Sequence, residues 1–282
     1  MRIDAHQHFW KLSRGDYNWL TKDIGILYKD YLPEDLLEDL KQHQIDKTIL
    51  VQAADTIEET YYMFELMEKY DFIAGVVGWL DFESEGFREQ LKQMMQIDGF
   101  VGVRPMIQDI EDDYWVLRDK VVKNIKVLHE EKIPLDILIF PKHLKIVNQL
   151  LKEIPNLKCV INHLAKPQIK DKQFEIWSKE ISTIAGYSNV YCKISGVITE
   201  ADHQFWSVEE CRKYIEHIID EFSEDRIMFG SDWPVCLQAG SYSDVYYTVD
   251  TVIQDSLNEY GRKKFYGKNA VEFYNRIRGG LK

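Results

Sequence analysis

Eight short runs rich in β-branched and other apolar residues recur along this chain, each followed by a longer segment of helical period. No Pro/Gly/Ser-rich linker interrupts the alternation. Such a pattern builds βα units, because parallel strands need a crossover connection and a helix is the compact way to make one. The expected strands span residues 2–9, 46–53, 72–80, 100–106, 133–140, 157–164, 189–196 and 226–234.

Between them the helices announce themselves. Thr56 and Glu59 have the spacing of a capping box ahead of Met63, Leu66, Met67 and Tyr70. Val208, Cys211, Ile215, Ile218, Ile219 and Phe222 form an apolar stripe, and Pro33 opens a helix that buries Leu36, Leu37 and Leu40. Eight strand–helix pairs in 282 residues predict an α/β chain folded as one (β/α)8 TIM barrel, a single domain over 1–282. A doubly wound open sheet is the alternative. Against it, no GxGxxG follows the first strand and no GxxxxGK[ST] occurs, so dinucleotide and P-loop sites lack their glycine cradle. One connection is long: residues 9–32 carry Trp10, Tyr17, Trp19, Tyr28 and Tyr31, an aromatic-rich loop after strand 1 suited to wall or cover the barrel mouth.

Composition narrows the partners. A net charge of −12 argues against nucleic acid, which is gripped by broad basic faces. The basic stretch after Glu259 interleaves with Phe265, Tyr266, Phe273 and Tyr274 and reads as an amphipathic closing helix. Cys159, Cys192, Cys211 and Cys236 stand far apart with no CxxC pair, as reduced buried thiols do. The opening MRIDAHQHFW has no secretory apolar core, and no run approaches a membrane span. The expected setting is the cytoplasm, with no membrane partner; oligomeric state leaves no mark in the sequence.

In a barrel the reactive side chains come from the C-terminal strand ends. Strand one ends in His6 and His8, whose spacing of two puts both imidazoles on one face. Strand six ends at His163 and strand eight at Asp232, so the four converge at one mouth. Three imidazoles and a carboxylate suit one divalent ion, Zn²⁺ best, and the carboxylate can equally serve as general base to a water. Singly, each histidine is more often a hydrogen-bonded interior residue; His43, His129, His143, His203 and His217, in helical or loop segments, are read that way. Gln52, Trp79, Arg104 and Lys193 end strands two, three, four and seven, and Trp233 follows Asp232. Arg104 and Lys193 suit a substrate oxyanion or carboxylate, or a salt bridge to a barrel acid such as Asp4 or Asp232; Trp79 and Trp233 suit a sugar ring or plain packing.

The segments IDAHQHFW, DYNWL, VRP, LIFPKHL, INHLAKP, CKISG, FGSDWP and NAVEFY together resemble the amidohydrolase superfamily, and within it the sugar-lactone hydrolases of fuconolactonase and rhamnonolactonase type. The resemblance runs from strand one to the C-terminal segment. It implies that Asp232 activates water while His6, His8 and His163, or a metal they hold, polarise a lactone carbonyl. Strand four carries Arg104 in place of a carboxylated lysine and strand five ends in Phe140, which argues against a binuclear centre. Some members of the branch work without a tightly bound metal.

The expectation is therefore hydrolysis of a small-molecule sugar lactone, a deoxy-sugar aldonolactone by preference, with Asp232 and His163 catalytic and Gln52, Trp79, Arg104, Lys193 and Trp233 around the substrate. The alternatives are a metal-dependent nonoxidative decarboxylase of the same superfamily and a noncatalytic sugar-binding barrel.

Overall fold

The computed structural model describes residues 1–279; the last three positions of the expected 1–282 domain lie outside the described residues. The strands are β1 (Ile3–Gln7), β2 (Lys47–Val51), β3 (Ile73–Gly78), β4 (Phe100–Val103), β5 (Leu135–Ile137), β6 (Cys159–Ile161), β7 (Val190–Ile194) and β8 (Ile227–Phe229), paired in chain order. Each neighbouring pair is parallel. The sheet returns on itself where Asp232 N–H donates to the His6 carbonyl (2.8 Å) and His8 N–H to the Trp233 carbonyl (2.7 Å). That seam distinguishes a barrel from the doubly wound alternative, and it is made by the backbones of three candidate ligands, His6, His8 and Asp232, together with Trp233.

Helices α1 (Pro33–Gln42), α2 (Ile57–Lys69), α3 (Phe87–Met94), α4 (Asp119–Glu131), α5 (Leu144–Glu153), α6 (Glu175–Ala185), α7 (Val208–Phe222) and α8 (Tyr242–Ser256) surround the strands. The α7 stripe is buried from Cys211 to Phe222, and Ser207 caps the helix by accepting from Glu210 N–H. At α2 the capping box is half made. Thr56 accepts from Glu59 N–H (3.2 Å), but the Glu59 carboxylate turns away to the Ala53 and Ala54 N–H groups (2.9 and 2.7 Å). It fastens the loop after β2, which lines the barrel mouth. Leu37 is an exception to the expected buried face of α1: it is exposed, while Leu36 and Leu40 are buried.

Inside the barrel, Ile3, Ala5, Ile49, Val51, Ala74, Val77, Val101, Val160 and Met228 pack in layers. The C-terminal segment, α9 (Glu259–Lys263), a π turn and α10 (Asn269–Phe273), closes the N-terminal mouth from below, with Ala270, Phe273, Tyr274 and Ile277 joining that interior. Chemistry is thereby left to the opposite end.

The loop over residues 9–32 is folded rather than open. Trp10 and Tyr31 exchange both backbone hydrogen bonds (3.0 Å each), and Trp10 is fully buried. The Trp19 indole N–H reaches the Ala53 carbonyl (2.7 Å), pinning the loop to the end of β2. Among the described residues no helix is long and apolar enough to cross a membrane.

Candidate active site

His6 lies in β1 and His8 one residue past it; His163 and Asp232 stand two and three residues beyond β6 and β8. Their backbones leave the strands in the left-handed region. Asp232 has φ +58°, and His163, Leu164, Ala165 and Lys166 form a left-handed turn with φ between +51° and +59°. For non-glycine residues this costs about 1–2 kcal/mol each, and strain of that kind concentrates where a side chain must be aimed. The Trp177 indole holds the turn by donating to the Leu164 carbonyl (2.7 Å).

The four side chains meet. The Asp232 Oδ1 atom faces three imidazole Nε2 atoms, those of His8 at 3.3 Å and of His6 and His163 at 3.7 Å. Two glycines make the room. A Cβ on Gly230 would sit 2.6 Å from the His6 Cβ, and one on Gly196 would sit 2.9 Å from His163 Nδ1. Gly230→Ala is therefore expected to push His6 off its position, costing about 1–3 kcal/mol of stability and at least tenfold in kcat. Thermal melting and steady-state kinetics would check both, and an unaltered kcat would remove the packing role given to this glycine.

Protonation follows from the partners. The His8 Nδ1 atom lies 2.7 Å from the Val51 carbonyl, which can only accept, so Nδ1 carries the proton and Nε2 presents a lone pair. Burial lowers the basicity of His8 and holds His163 down to about 3, so both are neutral near pH 7. Burial alone would raise the Asp232 carboxyl, but His163, His8 and Lys166 outweigh it and the group sits below its ordinary value. A lone pair then faces a carboxylate at 3.3 Å, an arrangement that a cation between them relieves.

The donor set fits a metal ion. One ring nitrogen each of His6 and His8 and a carboxylate oxygen of Asp232 lie within 4.8 Å of one another, and both Nε2 atoms face Asp232 Oδ1. Their separations from Asp232, 3.3 and 3.7 Å, are close to the edge of about 3.4 Å expected when ligands sit roughly 2.1 Å from a tetrahedral zinc. His6 has a competing partner, since the Lys193 ammonium is 3.3 Å from its Nδ1. Ligation by Nε2 puts the proton on Nδ1, so Lys193 must then direct its own protons to Asp136.

The remaining candidates divide. Arg104 lines the cavity above the histidines, with its Nη1 3.4 Å from His6 Nε2. Its guanidinium bonds to the Gln52 carbonyl, and among the described residues no carboxylate lies within 4 Å of it. Its Nε is buried without a partner, as is the Oε1 of Gln52, whose amide donates to the Arg104 carbonyl (2.7 Å). Gln52 braces Arg104 from behind. Lys193 is wholly buried one layer below, 2.6 Å from Asp136, so its charge is spent on a barrel acid, though not on Asp4 or Asp232. Asp4 instead binds the Ser231 and His6 N–H groups (2.9 and 3.1 Å), steadying the seam that carries Asp232. Trp233 is buried against Phe9 and Tyr31, and Trp79 lines a neighbouring hollow rather than this cavity.

The cavity holds about 270 Å³. Beyond His8, His163, Asp232 and Arg104 its walls are Trp19, Ile24, Met106, Leu138 and Val235 on the apolar side, with Gln108, Asp109, Lys166 and Gln238 as polar groups. Lys166 and Gln108 were not legible as site residues: both follow strand ends in loops whose course the local sequence does not fix. Asp136 had a signal, a single acid inside the apolar run IPLDILIF.

Comparison with known proteins agrees with this geometry. Residues 3–276 match the family model described as amidohydrolase. The chain is 33% identical over 276 residues to L-fucono-1,5-lactonase of Burkholderia ambifaria, covering 97% of this chain and 95% of that one. It is 30% identical to the protein of the same name from Burkholderia multivorans, covering 97% and 96%. A crystal structure of an amidohydrolase from Burkholderia multivorans with bound zinc superposes with a TM-score of 0.93 at 30% identity, over 98% of this chain and 99% of that one.

Proposed function

The chain belongs to the amidohydrolase family, and from that premise we propose that it hydrolyses a sugar-derived lactone, a deoxy-sugar aldonolactone by preference, to the aldonic acid. The observation that carries the reading is the convergence of His6, His8 and His163 on one oxygen of Asp232 at the floor of a cavity of monosaccharide scale. A noncatalytic sugar binder would have no use for a carboxylate so placed.

In this reading Asp232 takes a proton from water as the water oxygen bonds to the lactone carbonyl carbon. The ring C–O bond then breaks, and the proton passes to the departing alkoxide. Arg104, and His163 with Ser195 donating to its Nδ1 and its own proton on Nε2, would face the carbonyl oxygen and stabilise its negative charge, the contribution that is usually largest. Ser195, 2.9 Å from His163 Nδ1, holds that ring in orientation. Trp19, Ile24 and Met106 supply an apolar wall for the ring carbons and a methyl group, while Gln108 and Lys166 meet hydroxyls. A divalent ion held by His6, His8 and Asp232 would polarise the carbonyl and acidify water.

Acid release from a panel of aldonolactones, read with a pH indicator, tests the proposal against loss of ultraviolet absorbance from aromatic acids, the signature of a decarboxylase. Lactone turnover is expected; turnover only of the aromatic acids would overturn it. Elemental analysis should find about one zinc per chain, sharply reduced in His8→Ala. Chelation should lower kcat, with recovery on adding zinc. Undiminished turnover in zinc-free protein would mean that Asp232, Arg104 and the imidazoles act alone.

A further inference from the structure

Next to the catalytic cavity lies a second hollow of about 340 Å³. The two share Trp19, Ala53, Met106 and Asp109 as a common wall, and His8, His163 and Asp232 belong to the first alone. The second hollow therefore adjoins the catalytic cavity along these four residues.

The lining has a definite chemistry. Trp79 and Trp115 offer indole surfaces, and the Asp55 and Asp81 carboxylates offer acceptors at the rim. Glu83 is already engaged, accepting from the Trp115 indole N–H (3.0 Å) and from Arg118 (2.9 Å), and Arg118 also pairs with Asp112 (2.8 Å). The hollow's one lining cation is thus neutralised, while acceptors remain. Indole faces take the C–H face of a sugar ring and carboxylates take its hydroxyls; an anionic group would find no partner here.

We propose that this hollow is a subsite for a second, uncharged sugar ring joined through a hydroxyl remote from the lactone carbonyl. It rests on the lactonase reading and extends its substrate class to lactones of short oligosaccharides. The reaction that supplies them is oxidation of an oligosaccharide's reducing end, and the hydrolysis itself is unchanged. Trp79 gains a role that the inner cavity does not give it.

The test compares kcat/KM for a neutral disaccharide aldonolactone with that for its parent monosaccharide lactone, in the native chain and in Trp79→Ala. The native ratio is expected above one, and Trp79→Ala should lower that ratio about tenfold, while a uronosyl-substituted lactone gains nothing over the parent. A native ratio far below one, or a ratio that Trp79→Ala leaves unaltered, would overturn the subsite. Binding of the disaccharide aldonate, followed by tryptophan fluorescence in both proteins, separates the two ideas. Binding weakened by Trp79→Ala without turnover of either lactone would leave the subsite standing and sink the lactonase reading; equal or absent binding would sink the subsite.

Discussion

Asp232→Asn is expected to fold as the parent does and to lose lactone turnover by on the order of 10³-fold or more. The fold should survive because the residue sits at φ +58°, a conformation asparagine adopts more readily than most residues. The backbone bond from its N–H to the His6 carbonyl, which closes the barrel, does not involve the side chain. Activity should not survive, because the amide cannot take a proton from water. Whichever way it turns, it offers a weaker acceptor or an N–H where three Nε2 atoms now face a carboxylate oxygen. The loss should fall on kcat with KM little changed, since Arg104 and the apolar wall still bind the ring. A kcat within tenfold of the parent, in a protein melting at the same temperature, would show that Asp232 is not the base.

The barrel was readable because its signal is repeated: eight apolar runs, each with a helical segment behind it, outvote any one ambiguous stretch. The same logic located His6, His8, His163 and Asp232, since a barrel brings all strand ends to one rim. What strand ends could not tell was depth. Lys193 and Ser195 are both inward-facing on consecutive turns of the β7 pleat, yet Ser195 touches His163 at the rim while Lys193 lies beneath His6. Which layer a side chain occupies depends on the stagger between strands, a property of the closed sheet and not of the run NVYCKISG within one strand. Trp79 and Trp233 illustrate a second limit. Both end or follow strands as expected, but the loops they enter turn them toward a neighbouring hollow and toward Phe9 and Tyr31. The left-handed turn at His163–Lys166 had no local signal at all, for it contains neither glycine nor asparagine. It is imposed from outside, by Trp177 on the Leu164 carbonyl and by the space that Gly196 leaves beside His163.

Asp136→Ala is expected to be the most destabilising single change in the barrel interior. The carboxylate is fully buried and satisfies three groups: Lys193 (2.6 Å) and Asn162 (3.0 Å) on one oxygen, and the Tyr274 hydroxyl (2.7 Å) on the other. Tyr274 belongs to the segment that closes the N-terminal mouth, and Lys193 is in reach of His6, so this one acid ties the plug to the floor of the site. Removing it strands an ammonium in the interior, which costs about 3–5 kcal/mol. Against total stabilities of roughly 5–15 kcal/mol, that is a drop in melting temperature on the order of 10 °C. Burial already lowers the basicity of Lys193, and without Asp136 the amine is expected to shed its proton. The double variant Asp136→Leu with Lys193→Met separates fold from function. Replacing both charges restores most of the stability, because no unpaired charge remains, but it removes the ammonium packed 3.3 Å from His6 Nδ1, so kcat should stay low while the melting temperature recovers. If Asp136→Ala melts within about 2 °C of the parent, an effect below roughly 1 kcal/mol, the ion pair is not what holds the floor of the barrel together. If the double variant regains full kcat along with its stability, Lys193 has no part in positioning His6, and the network beneath the site is structural alone.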